Sequence, residues 1–284
     1  MRILCTNDDG VESEGLHVLA AAVAAAGYDV VVVAPSSDRS GAGAAIGVMH
    51  ADNHLDIEKV ELPGCEAIPA YALDGPPGMC VVAARLGAFG DPIDVVVSGI
   101  NPGINTGRAI LHSGTVGAAL TAQNFGGCGL AVSIDPGPPW YWDTAARLAV
   151  ETLPQLLDAP PRTVLNLNVP PRPYEDVLGV RWARLAAFGA VRAAIAETDG
   201  KYQFELRATG AKAAPDSDTG LVEQGYAALT TIVGIAEAWP EALHDMPELQ
   251  EGVVPGAPFE PVHGIPDASR PRSLYRPLPP TEQS

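Results

Sequence analysis

Short apolar runs and helix-like segments alternate along the first two thirds of the chain. An apolar run at 1–6, an Ala-rich segment at 16–26 and a β-branched run at 29–34 follow one another. A continuous β-branched run is typical of a strand that is buried on both faces of a parallel sheet. The pattern therefore predicts a βαβ unit at the start of the chain.

The same alternation continues as far as residue 169. Further helices are predicted over 81–86, 116–125 and 144–157, and further strands over 94–98, 130–133 and 163–169. Strands and helices that alternate in this way build a sheet with helices packed on both of its faces. We therefore predict an α/β protein with a doubly wound, mostly parallel sheet.

The chain changes character after this core, so we divide it into three parts. Residues 1–178 form the predicted core, and 179–240 form a β-rich excursion that returns to it, with a hairpin turn at 198–201. Eight prolines lie between Pro255 and Pro280, where apolar clusters are few. We expect 241–284 to be an extended, irregular C-terminal segment.

The net charge excludes two classes of partner. Seventeen basic and 34 acidic residues give a net charge of −17, and a chain so charged repels phosphate backbones and anionic lipid. We therefore exclude nucleic-acid polymers and membranes as partners. The four cysteines lack C-x-x-C spacing and no signal-like segment opens the chain, which predicts free thiols and cytoplasmic residence.

Two adjacent carboxylates follow the first predicted strand, in the sequence Asn7-Asp8-Asp9-Gly10. Ligands of an open α/β sheet bind at the carboxyl ends of its strands, so chemistry is expected at this position. Asp8 and Asp9 repel each other unless a proton or cation lies between them, and their oxygens suit a hard divalent cation. The alternative interpretation is a turn followed by a helix cap.

Two further polar clusters follow predicted strands. Ser40 lies in the loop 38–43, where small residues allow a ligand to approach and the hydroxyl can bind a metal or a phosphate. The longer cluster, 98–107, carries the amides Asn101 and Asn105 after an apolar strand. A Ser/Gly loop alone is a weak signal, since most such loops only connect elements.

The longer cluster leads into His112-Ser113-Gly114-Thr115, directly before a predicted helix. Free backbone N–H groups at that helix start, together with the hydroxyls of Ser113 and Thr115, would form an anion cradle that needs no lysine. Either hydroxyl would serve equally well as an N-cap. The two interpretations are compatible.

Five of these segments occur in the order and spacing of a known family. They are Asn7-Asp8-Asp9-Gly10, Arg39-Ser40-Gly41, 98–107, 112–116 and 165–170. Together they resemble the survival protein E (SurE) family. The similarity is continuous from residue 1 to about 172 and resumes over 218–232, so it covers roughly four fifths of the chain.

The resemblance implies a metal-dependent phosphomonoesterase that acts on nucleoside 5′- and 3′-monophosphates. It also implies a Rossmann-like core, a β-hairpin and C-terminal segment used in self-association, and dimers or tetramers. Carried over by position, the metal ligands are Asp8, Asp9, Ser40 and Asn101, the phosphate contacts are Asn105, Ser113, Gly114 and Thr115, and the catalytic residues are Asp8, Asp9 and Asn105. Oxygen ligands suit one divalent cation per subunit, magnesium or manganese, with calcium as a further candidate.

One stretch departs from the pattern of the family. Gly75-Pro-Pro-Gly-Met-Cys80 stands where the family has Gly-Thr-Pro-x-Asp-Cys, so a hydroxyl and a carboxylate are lost. The threonine that often follows the Arg-Ser-Gly loop is also absent, with Gly47 near its position. A family preference among nucleobases is therefore not carried over to this chain.

Two other classes stay open on the sequence. A haloacid-dehalogenase-type phosphatase also begins with aspartates after its first strand, but it needs an Asp-x-Asp spacing where this chain has an adjacent pair. The main alternative is a nucleotide- or sugar-nucleotide-binding, glycosyltransferase-like module without phosphatase activity, because 27–35 resembles the opening of sugar-nucleotide enzymes. Such enzymes usually have a second Rossmann-like domain, and the chain beyond residue 180 is too irregular for one.

The roles of several single residues are not decided by sequence. Asp8 and Asp9 are both candidates for a base or a nucleophile. His112 suits either a general acid or a local hydrogen bond. Trp140 and Trp142, in the stretch 138–142, are predicted to lie in an exposed lid or subunit contact, with stacking on a nucleobase as the alternative.

Overall fold

The computed structural model describes residues 1–48, 54–187, 191–198, 201–208 and 212–235. Residues 1–234 form one compact unit. The predicted hairpin turn at 198–201 lies partly outside the described residues, and the predicted tail at 241–284 lies wholly outside them. The boundaries of the three predicted parts therefore stay a prediction.

The described residues contain eleven strands and five α-helices. The strands are β1 (Arg2–Thr6), β2 (Asp29–Pro35), β3 (Ile57–Val60), β4 (Ala70–Leu73), β5 (Val95–Pro102), β6 (Cys128–Ile134), β7 (Val164–Val169), β8 (Val180–Trp182), β9 (Val191–Thr198), β10 (Lys201–Ala208) and β11 (Ala227–Ile232). The helices are α1 (Glu14–Ala25), α2 (Pro77–Arg85), α3 (Gly114–Asn124), α4 (Trp142–Asp158) and α5 (Asp218–Gln224). A 3₁₀ segment, Gly107–His112, precedes α3.

Nine strands form one sheet in the order β3-β4-β2-β1-β5-β6-β7-β11-β8. The six strands from β4 to β7 are parallel, whereas β3 and β11 run antiparallel to their neighbours β4 and β7. This confirms the predicted α/β fold with a doubly wound, mostly parallel sheet. Chain order reverses between β1 and β5, and a ligand crevice is expected where such a reversal occurs.

Two hydrophobic clusters explain why the central strands are apolar at every position. The helices α1 and α4 pack in the first cluster, and α2 and α3 in the second. Successive residues of β1 alternate between them, because Ile3 and Cys5 belong to the first cluster and Leu4 to the second. Both faces of the strand are therefore buried, as the uninterrupted β-branched run in β2 had indicated.

Sequence patterning missed β3, β4 and the true start of α2. β3 and β4 span only four residues each, and β3 is mostly exposed at the antiparallel edge, so neither produces a recognisable apolar run. α2 begins at Pro77 instead of 81, since proline fits the first turn of a helix and Met79 and Cys80 are buried in the second cluster.

The predicted return to the core at 218–232 contains α5 and β11, and β11 pairs with β7. The residues of β9 and β10 form a separate antiparallel hairpin. No helix in the described part of the chain is long and apolar enough to cross a bilayer. All four cysteines are free, as predicted.

Candidate active site

Three loops meet at the carboxyl ends of β1, β2 and β5. The backbone N–H of Arg39 donates to the carbonyl of Asp8 at 2.7 Å, which ties the loop after β2 to the end of β1. The N–H of Gly43 donates to the carbonyl of His112 at 3.2 Å, which ties the same loop to the start of α3. The structure therefore brings together the carboxylate pair, the Ser40 loop and the Ser113–Thr115 segment.

The Asp8 carboxylate lies against the N-terminus of α3. Its Oδ1 accepts a hydrogen bond from the Thr115 hydroxyl at 2.6 Å, and the backbone N–H groups of Gly114 and Thr115 lie close enough to lower the pKa of the carboxyl. Burial is the largest influence on the pKa of Asp8 and raises it, while these hydrogen bonds act in the opposite direction. A Cβ on Gly114 would lie 2.6 Å from the Cβ of Asp8, so only glycine permits this contact.

At this helix start the Asp8 carboxylate faces the N–H groups of Gly114 and Thr115, which lower its pKa. The N–H of Val116 donates to the Ser113 Oγ at 3.1 Å. Ser113 is therefore the N-cap, and the anion held by the helix dipole is the Asp8 carboxylate. Direct contact of this segment with a substrate phosphate stays a prediction.

Asp9 is the electrostatically destabilised member of the carboxylate pair. Its Oδ2 is buried without a hydrogen-bond partner. Burial, followed by repulsion from Asp8 and Asp38, raises the pKa of Asp9 to about 7. The pKa of Asp38 is held low by hydrogen bonds from Ser40, so Asp38 keeps its negative charge near Asp9. An oxygen without a donor, surrounded by negative charge, fits a divalent cation better than any other ligand class.

The two neutral candidate ligands keep an oxygen available. The Ser40 hydroxyl donates its hydrogen to Asp38 at 2.6 Å, so the lone pairs of the Ser40 oxygen stay available to a cation. The Asn101 amide nitrogen donates to the carbonyl of Gly103 at 2.6 Å, which leaves the amide oxygen as the ligand atom. Within the described ranges, no group of three or more His, Cys, Asp or Glu side chains suited to a metal is found. Any cation here would depend on neutral oxygens as well as carboxylates, which suits hard ions.

Asn105 is held by polar residues at the ends of β6 and β7. Its amide nitrogen donates to the Ser133 Oγ at 2.8 Å, and its backbone N–H donates to the Asn168 Oδ1 at 2.8 Å. Its carbonyl accepts from the side-chain amides of Asn166 and Asn168. The roles of Ser133, Asn166 and Asn168 were missed, although two buried amides on one face of an apolar strand are a signal that could have been used.

A second buried carboxylate, Asp218, fixes the backbone beyond Asn105. Its Oδ2 accepts from the Gly107 N–H at 2.8 Å, and its Oδ1 accepts from the N–H groups of Ala186 and Thr219 at 2.9 and 2.8 Å. The side chain is fully buried, and the Thr219 and Thr106 hydroxyls lie 2.9 Å apart beside it. In the sequence, Asp218 is only the residue at which the resemblance to the family resumes, and no role was predicted for it.

The positive charge of Arg39, in the loop that carries Ser40, is compensated by a carboxylate. Arg39 forms an ion pair with Asp74 at 2.5 Å, immediately before the altered stretch 75–80. In that stretch Met79 and Cys80 are buried, and a Cβ on Gly78 would lie 2.5 Å from the carbonyl of Ala45. The loop after β2 therefore packs closely against α2 at Gly78, and the buried Met79 occupies the position where the family has a carboxylate.

Comparison with known proteins decides between the remaining classes. Residues 3–190 match the family model described as "Survival protein SurE". The chain belongs to the SurE family. It is 37% identical to the 5′-nucleotidase SurE of Pseudomonas entomophila (strain L48) over 82% of this chain and 92% of that relative. It is also 37% identical to the 5′-nucleotidase SurE of Marinobacter nauticus, covering 89% of this chain and 97% of that protein.

A solved structure agrees with the SurE assignment. The SurE protein from Aquifex aeolicus matches with a TM-score of 0.69 and 28% identity, over 82% of this chain and 93% of that one. Family and fold are thus the ones that the sequence motifs predicted. The glycosyltransferase-like alternative has no support, because the family model over residues 3–190 and the named relatives all belong to SurE.

Replacing Asp9 by asparagine is expected to stabilise the metal-free protein. The pKa of Asp9 is higher in the folded protein than in the unfolded chain, so ionisation of Asp9 lowers the free energy of unfolding. This loss develops as pH rises from about 4 to about 7. Solvent screens part of this repulsion because Asp9 is only partly buried, so we expect a gain of about 1–2 kcal/mol above pH 7. Thermal unfolding would be measured in EDTA from pH 5 to pH 8. At pH 8 the melting temperature of Asp9→Asn should lie roughly 2–8 °C above that of wild type.

Asp56→Asn serves as the control, because Asp56 is exposed and lies outside this cluster. Its melting temperature should follow wild type at every pH. Identical melting temperatures for Asp9→Asn and wild type at pH 8 would contradict the charge repulsion described for the pair.

Proposed function

We propose that this SurE-family protein is a divalent-metal-dependent phosphomonoesterase that hydrolyses nucleoside 5′- and 3′-monophosphates to nucleoside and phosphate. The observation that carries the proposal is the Asp8–Asp9 pair, in which Asp8 is held by α3 and Asp9 keeps a buried oxygen without a donor. The relatives named 5′-nucleotidase support the reaction and the substrate class.

Asp8, Asp9, Ser40 and Asn101 would hold one divalent cation, magnesium or manganese, with calcium also compatible with oxygen ligands. When bound, the cation supplies positive charge that polarises a phosphoryl oxygen and activates a water molecule. The contribution of the chain is to fix the donor oxygens before substrate arrives. Asp8 is fixed by Thr115 and the helix start, so little reorganisation is needed at that ligand.

The groups around α3 and Asn105 would orient the phosphate. The Ser113 Oγ accepts a hydrogen bond from Val116, so its own O–H can donate to a phosphate oxygen. The Asn105 amide nitrogen has a second hydrogen beyond the one given to Ser133. Gly114 and Thr115 would act through the Asp8 carboxylate that they position. Phosphoryl transfer requires mainly alignment and charge stabilisation, which these groups can provide.

Asp8→Asn and Asp9→Asn, made separately, should each lower metal-dependent phosphate release from AMP by about 10³-fold or more, since each removes one charged donor to the cation. Release would be measured with manganese, with magnesium and with EDTA. EDTA should abolish the wild-type activity.

Asp56→Asn is again the matched control and should keep wild-type turnover, because the carboxylate it removes is exposed and does not belong to the Asp8, Asp9 and Asp38 cluster. Full metal-dependent turnover by Asp8→Asn would show that the site assignment is wrong. A wild-type enzyme unaffected by EDTA would contradict metal dependence itself.

Removing the metal should abolish phosphate binding as well as turnover. The protein carries a net charge of −17, Arg39 is paired with Asp74, and the start of α3 already lies against the Asp8 carboxylate. Attraction of an anionic substrate must therefore come mainly from the cation. Calorimetric titration with inorganic phosphate should detect binding with manganese and none in EDTA; tight binding by the metal-free protein would contradict this expectation.

We also propose that the protein assembles as dimers or tetramers in the cytoplasm. Leu178, Val180, Trp182 and Leu185 are exposed apolar residues along the edge strand β8 and its flanks, and such a row favours an interface. The free thiols support a reducing compartment. Light scattering at micromolar concentration should give two or four times the chain mass of 29.4 kDa, and a monomer would contradict the assembly.

A further inference from the structure

A flat aromatic surface lies on the loop that follows β6. The rings of Trp140 and Trp142 stack with centroids 4.8 Å apart and planes 5° apart. Trp140 is 39% exposed, whereas Trp142 is half-buried at the start of α4. One face of the exposed indole is thus supported by a second indole, and an additional ring can stack upon the pair.

This loop leaves the sheet beside the candidate active site. β6 pairs with β5 in parallel, with Ser133 opposite Asn101. The Ser133 hydroxyl also accepts the hydrogen bond from Asn105. The backbone N–H of Asp135 donates to the carbonyl of Val169 at 2.9 Å, which fixes the start of the loop at the same edge. The loop that carries the aromatic pair therefore begins next to Ser133, which positions the predicted phosphate contact.

The anchoring ring of Trp142 packs at the same edge. A Cβ on Gly15 would lie 2.3 Å from the carbonyl oxygen of Ile100 and 3.3 Å from the Trp142 Cζ3. The first turn of α1, the end of β5 and the Trp142 ring therefore converge next to Asn101, a candidate metal ligand. Trp142 forms a rigid base that joins the aromatic surface to the strand ends.

The composition of the loop favours a pre-formed surface. Pro136, Pro138 and Pro139 fix three φ angles within it, so little conformational entropy is lost when a ligand stacks there. The protein as a whole repels anions, but stacking on an uncharged planar ring is not weakened by that repulsion. An aromatic surface is thus a means by which an acidic enzyme can bind the neutral end of a nucleotide.

We propose that Trp140 stacks on the nucleobase of the substrate and favours purines, whose larger rings cover more of the indole. The proposal rests on the proposed function for the phosphate end of the substrate. It replaces the lid or subunit contact that the sequence favoured for this stretch, because the stacked pair lies beside the residues that position Asn101 and Asn105.

Steady-state kinetics with AMP, UMP and ribose 5-phosphate tests the proposal. Trp140→Ala should raise KM for AMP by about 10- to 100-fold, the usual range for losing one base–aromatic stack, and should raise KM for UMP less. KM for ribose 5-phosphate, which has no base, should stay within about twofold. Trp140→Phe should restore most of the loss. Leu86→Ala is the control, because Leu86 is exposed at the end of α2 and lies outside both the candidate site and the proposed β8 interface.

Adenosine binding gives a readout that does not depend on hydrolysis. Titration of adenosine should quench tryptophan fluorescence saturably in wild type and in Leu86→Ala, and the quenching should be lost in Trp140→Ala. Unchanged KM for AMP in Trp140→Ala, or an equal rise for ribose 5-phosphate, would overturn the proposal. A loss of chain assembly in Trp140→Ala without loss of adenosine binding would identify a subunit contact instead. Adenosine binding without any phosphate release would overturn the proposed function and leave the stacking site standing.

Discussion

The contact between the Asp8 carboxylate and the start of α3 is the interaction on which the candidate site depends. A buried carboxylate without a cationic partner is costly, and here the Thr115 hydroxyl and the N–H groups at the helix start offset part of that cost. The contact requires β1 and α3 to meet at the strand ends, and it requires a glycine at position 114. The positive end of the helix is thus used to hold a metal ligand in place.

A division of charge across the crevice follows from that arrangement. On one side lie Asp8, Asp9 and Asp38, whose mutual repulsion creates the need for a cation. On the other side Asn105 is held by Ser133, Asn166 and Asn168, all of which are neutral. Neutral groups can position a phosphate without competing with the cation for the carboxylates. The site of an acidic protein can therefore receive an anion once the cation is in place.

The features that depend on local pattern were the ones predictable from sequence. Buried strands such as β2 are recognisable from continuous β-branched residues, and the position of Asp8 and Asp9 directly after an apolar strand is what led to the prediction of a cation. The hydrogen bond from the Thr115 hydroxyl to Asp8 joins residues 107 positions apart, which no local pattern encodes. β3 was not predicted for another reason: a four-residue edge strand that is mostly exposed has no apolar face by which it could be recognised.

The buried carboxylate of Asp218 has a consequence for the order in which the site is completed during synthesis. Asp8 and Asp9, directly after β1, leave the ribosome near the beginning of translation, whereas Asp218 follows Gly107, its partner, by 111 residues. The loop that carries Asn105 reaches its final backbone geometry only after that carboxylate has joined it. Until then the chain has its carboxylate pair without a fully ordered partner loop. A nascent or prematurely terminated chain would thus carry carboxylates able to attract a cation and lack the organised loop needed to use it.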